Sequence, residues 1–129
     1  MRHLITRLSV ALAAGAMGAI ANSLAVQLAG SLRPSAAVPP FTPEWIYQRL
    51  VWGGIFGLLL LLPILRGRPL LQGLLISLAP SVARLTVFAP PDASASVANI
   101  VQVLVFNAIW GVVAALWSHR ALRTRTSTD

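Results

Sequence analysis

The sequence predicts an all-α membrane protein, a polytopic bundle of four transmembrane helices that occupies residues 1–129 as a single domain. Hydrophobic residues make up 57% of the chain and charged residues only 10%, and the mean hydropathy is +0.77, far above the range of soluble domains. Four stretches of 20 to 22 residues carry at most one charge each, and each can cross a hydrocarbon layer of about 30 Å as a helix. We assign these spans to residues 8–29, 45–65, 70–89 and 97–117.

The first span follows a short basic N-terminus and is rich in alanine. A secretory signal peptide is the competing interpretation, with Arg2 and Arg7 as its basic region. Ala19-Ile-Ala21 resembles a small-residue cleavage site, which would remove residues 1–21. Against cleavage, the apolar character continues through Leu28 without an intervening polar region. The pattern favours a retained helix, and both interpretations stay open at this point.

The second span begins with the residues that start a helix. Thr42 can cap the N-terminus, Pro43 suits the first helical position, and Glu44 suits the first turn. Trp45 has the amphipathic ring that is typical of a membrane–water boundary. The preceding segment 30–41 contains three prolines and is too short for a folded domain, so we predict a loop there.

The third and fourth spans are joined to their neighbours by short segments. Residues 66–69, Arg-Gly-Arg-Pro, form a tight basic turn, so the third helix is expected to run antiparallel beside the second. The third span is interrupted by Pro80 and contains one charge, Arg84. Either Ser94 or Ser96 is expected to cap the fourth span.

The distribution of arginine predicts how the chain is threaded. With the N-terminus in the cytoplasm, seven of the ten arginines fall on the cytoplasmic side, as the positive-inside rule expects. These seven are Arg2, Arg7, Arg66, Arg68, Arg120, Arg123 and Arg125, and the other three are Arg33, Arg49 and Arg84. An even number of spans puts both termini inside. Because the use of arginine without lysine is typical of GC-rich genomes, we expect a multi-pass protein of a bacterial inner membrane.

Small residues indicate which faces of the helices pack together. Gly15 lies on such a face in the first span, and Gly53 and Gly57 are spaced i, i+4 in the second. Faces of this kind let two helix backbones approach closely in a membrane. The third helix, which a short turn ties to the second, is the expected partner of the Gly53 and Gly57 face.

Each of these small-residue faces has polar side chains at one end. These side chains lie in the outer half of each span, at similar distances from the membrane midplane. This candidate polar cluster consists of Asn22, Arg49, Arg84, Asn99 and Gln102. An ionisable residue within a membrane is a candidate for a functional site, and two arginines with amides beside them favour an anion. In the alternative interpretation both arginines extend to the headgroups, or one pairs with Glu44, and the amides join helices. The sequence alone favours this structural interpretation.

Few residues have the chemistry of a catalytic, metal or cofactor site. His3 and His119 lie at opposite ends of the chain, beside arginines, and are expected to be solvated. Glu44, Asp92 and Asp129 are too few and too scattered for a carboxylate pair or a metal site. We therefore expect no enzyme activity, no metal and no cofactor. The arginines flank apolar spans and form no soluble basic face for nucleic acid, so anionic lipid headgroups are the expected partner of the cytoplasmic arginines.

Part of the chain resembles a known group of membrane proteins. YagU-like bacterial inner-membrane proteins resemble this chain in two regions. One region comprises the segments Leu70–Leu75 and Phe88–Pro91, and the other is the fourth span with Trp110 and the basic tail from Arg120. The resemblance covers the last half of the chain and implies only a bacterial inner membrane, since that family has no established activity to carry over.

The expected role is that of a structural or accessory membrane component without a known biochemical activity. Its partners would be lipid, further copies of the chain in a homo-oligomer, or the subunits of a larger membrane complex. The alternative is a small carrier or binding protein for an anion or a lipid headgroup. The two readings differ in whether Arg49 and Arg84 face a shared cavity or the lipid.

Overall fold

The computed structural model describes residues 1–33, 38–89 and 96–126. Over these ranges the chain is helical and contains no strand, which confirms the all-α prediction. The helices are α1 Arg2–Ser31, α2 Pro43–Gly57, α3 Pro69–Ile76, α4 Leu78–Thr86 and α5 Val97–Thr126, and a 3-10 helix Leu58–Leu61 follows α2 directly.

Two of the described helices are long and apolar enough to cross a membrane. They run from His3 to Ser31 and from Val97 to Arg123, and they correspond to the first and fourth predicted spans. Both helices extend beyond the predicted bounds: α1 begins at Arg2 and α5 continues to Thr126. The second and third predicted spans are made of shorter helices.

The second span begins as predicted and ends early. The side chain of Thr42 accepts a hydrogen bond from the backbone N–H of Trp45 at 3.3 Å, which confirms the cap. The helical run stops at Leu61 instead of residue 65. Pro63 explains the difference, because a residue before proline is pushed out of the helical region and Leu62 accordingly has ψ 138°.

The third span, predicted over residues 70–89 with an interruption at Pro80, consists of the two short helices α3 and α4. The break between α3 and α4 falls at Ser77, three residues before Pro80. Proline has no N–H for the carbonyl of Ile76, four residues back, and its ring crowds that carbonyl. The backbone N–H groups of Ser77 and Ser81 still bond within the segment, so the two short helices remain a continuous unit.

The cap of the fourth span is one of the two serines proposed for it. The hydroxyl of Ser96 accepts a hydrogen bond from the backbone N–H of Asn99 at 3.2 Å. The alternative cap, Ser94, lies outside the described residues, as do residues 34–37 of the predicted loop 30–41.

Helix α1 packs against both α2 and α5, and α5 also packs against α3 and α4, so the α1–α5 pair joins the other helices. The expected pairing of the Gly53 and Gly57 face with the third helix is therefore wrong. A Cβ built on Gly15 would lie 2.1 Å from the carbonyl oxygen of Gly53, so the α1 and α2 backbones are in direct contact. Gly73 of α3 instead meets Gly111 of α5, where an added Cβ would lie 2.5 Å from the Gly111 oxygen.

The centre of the bundle is closed by an indole. Trp110 on α5 is 3% exposed and packs with Ala19 and Ile76. Its Nε1–H donates a 2.9 Å hydrogen bond to the carbonyl oxygen of Gly15. This bond joins α5 to the same turn of α1 that contacts α2, so all three helices meet there.

Candidate functional site

A cavity of about 450 Å³ lies between α1, α2, α4 and α5. All five residues of the candidate polar cluster line it: Asn22, Arg49, Arg84, Asn99 and Gln102. They come from four different helices, and the bundle brings them to one place. The volume falls within the usual range for a small-molecule site.

Arg49 is held inside the bundle by α1. Its Nε–H donates a 2.9 Å hydrogen bond to the hydroxyl of Ser23, and its Nη2 donates to the amide oxygen of Asn22. The indole of Trp45, one turn earlier on α2, lies over the guanidinium with 4.5 Å between Cζ and the ring centroid. This cation–π contact and the two hydrogen bonds orient the guanidinium toward α1.

Asn22 links Arg49 to a further helix, α5. It is 6% exposed, and its Nδ2 donates a 2.9 Å hydrogen bond to the backbone oxygen of Phe106 on α5. Ser23 is 1% exposed and donates to the carbonyl of Ala19 at 2.7 Å while it accepts from Arg49. Asn22 and Ser23 are thus committed to partners within the protein.

Arg84 on α4 also lines the cavity, but its side chain has different partners. It is exposed, and the only hydrogen bond of its side chain among the described residues goes from Nη1 to the backbone oxygen of Phe88 at 2.7 Å. Arg84 lies near enough to Arg49 for the two positive charges to repel each other. Because guanidinium has five N–H donors, Arg84 keeps donors for a further acceptor.

No carboxylate balances this pair of charges among the described residues. Glu44 is exposed, in the first turn of α2, and forms no ion pair with either arginine, so the suggested pairing with Glu44 is not seen. None of the described residues that line the cavity is acidic. The described part of the cavity lining therefore carries positive charge only.

Asn99 and Gln102 contribute unengaged amides. Both lie on α5, where Asn99 is half-buried and Gln102 exposed, and neither side chain forms a hydrogen bond among the described residues. An amide can both donate and accept, so these two groups can bind an anion through N–H or a hydroxyl through either atom.

Three further polar residues of the site were not predicted as part of it. Ser23 directly follows Asn22 in the sequence, and Gln48 directly precedes Arg49. Adjacency to a predicted site residue is therefore the sequence signal that points to both. The third residue is Asn107 on α5, whose Nδ2 donates a hydrogen bond to the hydroxyl of Ser81 on α4 at 3.1 Å. Asn107 also lines the cavity.

Aromatic rings form the apolar part of the cavity wall. The lining aromatic residues are Trp52, Phe56, Phe88, Phe106 and Trp110. Trp52 on α2 meets Phe88, just after α4, edge to face with 5.0 Å between ring centroids. The cavity thus combines two cations and several amides with a large apolar surface, which is the chemistry that an anionic amphiphile requires.

The glycine contact positions this site. Gly53 lies one helical turn after Arg49, and an added Cβ there would lie 2.6 Å from the Cβ of Ala19. Gly57 is equally close to α1, since an added Cβ would lie 2.4 Å from the oxygen of Ala11. The close approach of α1 and α2 at Gly15, Gly53 and Gly57 is what brings Arg49 within hydrogen-bonding distance of Asn22.

The described residues contain no group of three or more metal-ligating side chains. The residues that line the cavity supply hydrogen-bond donors and positive charge within a largely apolar wall. Comparison with protein-family models, curated proteins and solved structures finds no match to this chain, so the geometry of the site is the basis for its function.

Proposed function

We propose that this chain is an integral protein of a bacterial inner membrane that binds an anion, either free or as a lipid headgroup, in the cavity between Arg49 and Arg84. The observation that carries the proposal is that both arginines line one cavity whose described lining residues include no acid. Two guanidinium groups in an apolar surrounding are stabilised by a negative charge between them. This is the binding or carrier function that the sequence offered as its alternative.

We also propose that the chain crosses the membrane four times with both termini in the cytoplasm. Two helices have the required length and hydropathy on their own. Helix α2 with its 3-10 extension, Pro43 to Leu61, is roughly 30 Å long, and α3 with α4, Pro69 to Thr86, is roughly 27 Å. Discontinuous helices occur in membrane proteins where they line a polar cavity, as α4 does here.

Retention of the first helix belongs to this proposal. Residues 1–21, which a signal peptidase would remove, include Ala11, Ala14 and Gly15, all buried against other helices. Their loss would expose the partner surfaces of α2 and α5. The resemblance of the last half to YagU-like proteins is likewise a proposal, and it agrees with a bacterial inner membrane.

The aromatic wall favours a lipid headgroup as the source of the anion. A free inorganic anion would gain nothing from rings such as Trp52 and Phe88, whereas an acyl or glycerol portion would pack on them. The amides of Asn99 and Gln102 are suited to the hydroxyl or ester oxygens of such a headgroup.

A binding titration tests the proposal. The protein, purified in a non-ionic detergent, is titrated with sodium phosphate, and separately with phosphatidylglycerol in mixed micelles, while its melting temperature is followed. Saturable stabilisation by either supports binding, since a ligand that binds only the folded state raises stability. Stabilisation by phosphatidylglycerol alone identifies a headgroup site.

Matched variants localise the effect. Arg84→Gln should reduce the stabilisation, because it removes one of the two cations that line the cavity. The variant should still fold, because the Arg84 guanidinium holds no second helix in place. Arg33→Gln, another exposed arginine on the same predicted side of the membrane and outside the cavity lining, should leave it unchanged. No anion response in the native protein, or equal loss in both variants, would contradict the proposed site.

The second candidate is the structural or accessory role, and one observation favours it. The guanidinium of Arg49 hydrogen-bonds Asn22 and Ser23 across the α1–α2 interface, as expected of a group that holds helices together. In that case the protein would respond to no anion, and its partner would be a second copy or another membrane subunit. Native mass spectrometry of the detergent-extracted protein would detect such a partner.

A further inference from the structure

A second cavity, of about 120 Å³, lies at the other end of the bundle from the Arg49 cavity. It is enclosed by α1, the 3-10 helix and the turn after it, α3 and α5. Leu60, in its wall, is eleven residues beyond Arg49 along the same helical run, roughly 16 Å away. None of its lining residues belongs to the Arg49 cavity. The two cavities are thus separate sites.

Three basic side chains from distant parts of the sequence meet at this second cavity. Arg7 comes from α1, Arg66 from the turn after the 3-10 helix, and His119 from α5. His119, expected to be solvated, is instead half-buried. None of the described residues that line the cavity is acidic. Basic side chains are therefore concentrated at the second cavity, on the predicted cytoplasmic side.

Two buried polar side chains face this charge without partners. Gln72 on α3 is 7% exposed and Ser118 on α5 is 8% exposed, and neither side chain forms a hydrogen bond among the described residues. Their polar atoms are nevertheless not completely enclosed by protein. Since both residues line the cavity, the accessible part of each polar group is directed into it. A buried amide and hydroxyl are unfavourable unless they acquire a hydrogen-bond partner.

We propose that this second cavity binds a phosphate group, supplied either by the headgroup of an anionic lipid in the cytoplasmic leaflet or by free phosphate. Arg7 and Arg66 provide charge-assisted donors, while the amide N–H of Gln72 and the hydroxyl of Ser118 complete the donor set. Arg66 uses one N–H for the carbonyl of Leu61 at 3.1 Å, which orients the guanidinium and leaves its other donors for the anion.

This site is independent of the proposed Arg49 cavity, because it uses different residues at the opposite end of the bundle. The chain also provides a close control. Arg68 lies two residues after Arg66 in the same turn, is exposed, and does not line the cavity. Substitution of either arginine by glutamine changes the net charge of the protein by the same amount.

The experiment measures the apparent Kd of the full-length protein for inorganic phosphate, and for phosphatidylglycerol in mixed micelles, from the melting temperature at constant ionic strength. All variants carry Arg84→Gln in their background, which weakens binding at the other cavity. We expect Arg66→Gln to weaken binding at least about tenfold and Arg68→Gln to change it by less than about twofold. Gln72→Leu should also weaken binding, without lowering the melting temperature of the ligand-free protein.

The outcomes distinguish the source of the phosphate and can reject the site. Saturation by inorganic phosphate supports a free anion, and a response to phosphatidylglycerol alone supports a headgroup. An equal loss in Arg66→Gln and Arg68→Gln would show only general surface charge and overturn the proposal, as would no response in the Arg84→Gln background. If Arg66→Gln fails to fold, unchanged binding in Gln72→Leu overturns it.

Discussion

The guanidinium of Arg49 on α2 donates a hydrogen bond to the amide oxygen of Asn22 on α1. Asn22 in turn donates to the backbone of Phe106 on α5, so one amide joins three helices through the wall of the larger cavity. The same arginine is therefore both a bond between helices and a positive charge at a candidate binding site. Substitutions that remove the hydrogen bonds between helices but keep the positive charge of Arg49 distinguish these two roles.

Asn22→Ala should lower the free energy of unfolding by about 1–3 kcal/mol, because Arg49 and the Phe106 carbonyl both lose a partner. Thermal or denaturant unfolding in detergent measures the change. Gln102→Ala removes another amide of the same cavity whose side chain has no hydrogen bond among the described residues, so it should change stability by less than about 0.5 kcal/mol. Equal effects of the two substitutions would be inconsistent with the Asn22 connection.

Gly57→Ala should destabilise the bundle by about 1–3 kcal/mol, since the added Cβ would lie 2.4 Å from the carbonyl oxygen of Ala11. Gly54→Ala, on the same helix, provides the control. Its Cβ would lie 3.5 Å from the nearest atom, an ordinary contact, so the substitution should be neutral or slightly stabilising. Unfolding of both variants in detergent compares them directly, and a neutral Gly57→Ala would mean that the α1–α2 contact is looser than described.

Trp110→Phe should cost about 1–3 kcal/mol, through loss of the hydrogen bond to the Gly15 carbonyl and of part of the buried ring. Trp117→Phe, on the same helix, is the matched control, because its indole is half-buried and has no hydrogen-bond partner among the described residues. The two variants can be followed by tryptophan fluorescence during unfolding. A larger effect at Trp117 would contradict the assignment of Trp110 to the centre of the bundle.

The proposed threading can be tested because the chain contains no cysteine. Gly67→Cys should be protected from a membrane-impermeant thiol reagent in intact cells and react after lysis. An added side chain at Gly67 meets open space, so the variant should fold. Ser94→Cys, predicted to lie on the outer side, should react in intact cells. The reverse pattern would invert the topology.

Retention of the first helix is a separate prediction. An epitope tag placed before Met1 should remain on the mature protein, because α1 supplies the buried surface against which α2 and α5 pack. Immunoblotting of membranes with the tag antibody, alongside a C-terminal tag on the same chain, measures this. A mature band that carries only the C-terminal tag would show cleavage and would remove α1 from the bundle.

The sequence predicted well those features that depend on nearby residues. The caps at Thr42 and Ser96 follow from side chains that bond to the backbone three residues away. Pro80 indicated an interruption of the third span, although not its separation into two helices at Ser77. The second span ends at Leu61 instead of residue 65, because Pro63, two residues before the predicted end, breaks the helix.

By itself, the sequence determined the helical class, the two long apolar helices and the residues able to form close contacts or polar bonds, because hydropathy, capping and side-chain size are local properties. Only the tertiary structure decided which surfaces meet. Gly53 contacts Gly15 of α1 and not the helix that follows it in the chain, since complementary backbone shape outweighs proximity in sequence. The same contact turns Arg49 toward Asn22, and so places the guanidinium in the wall of a cavity.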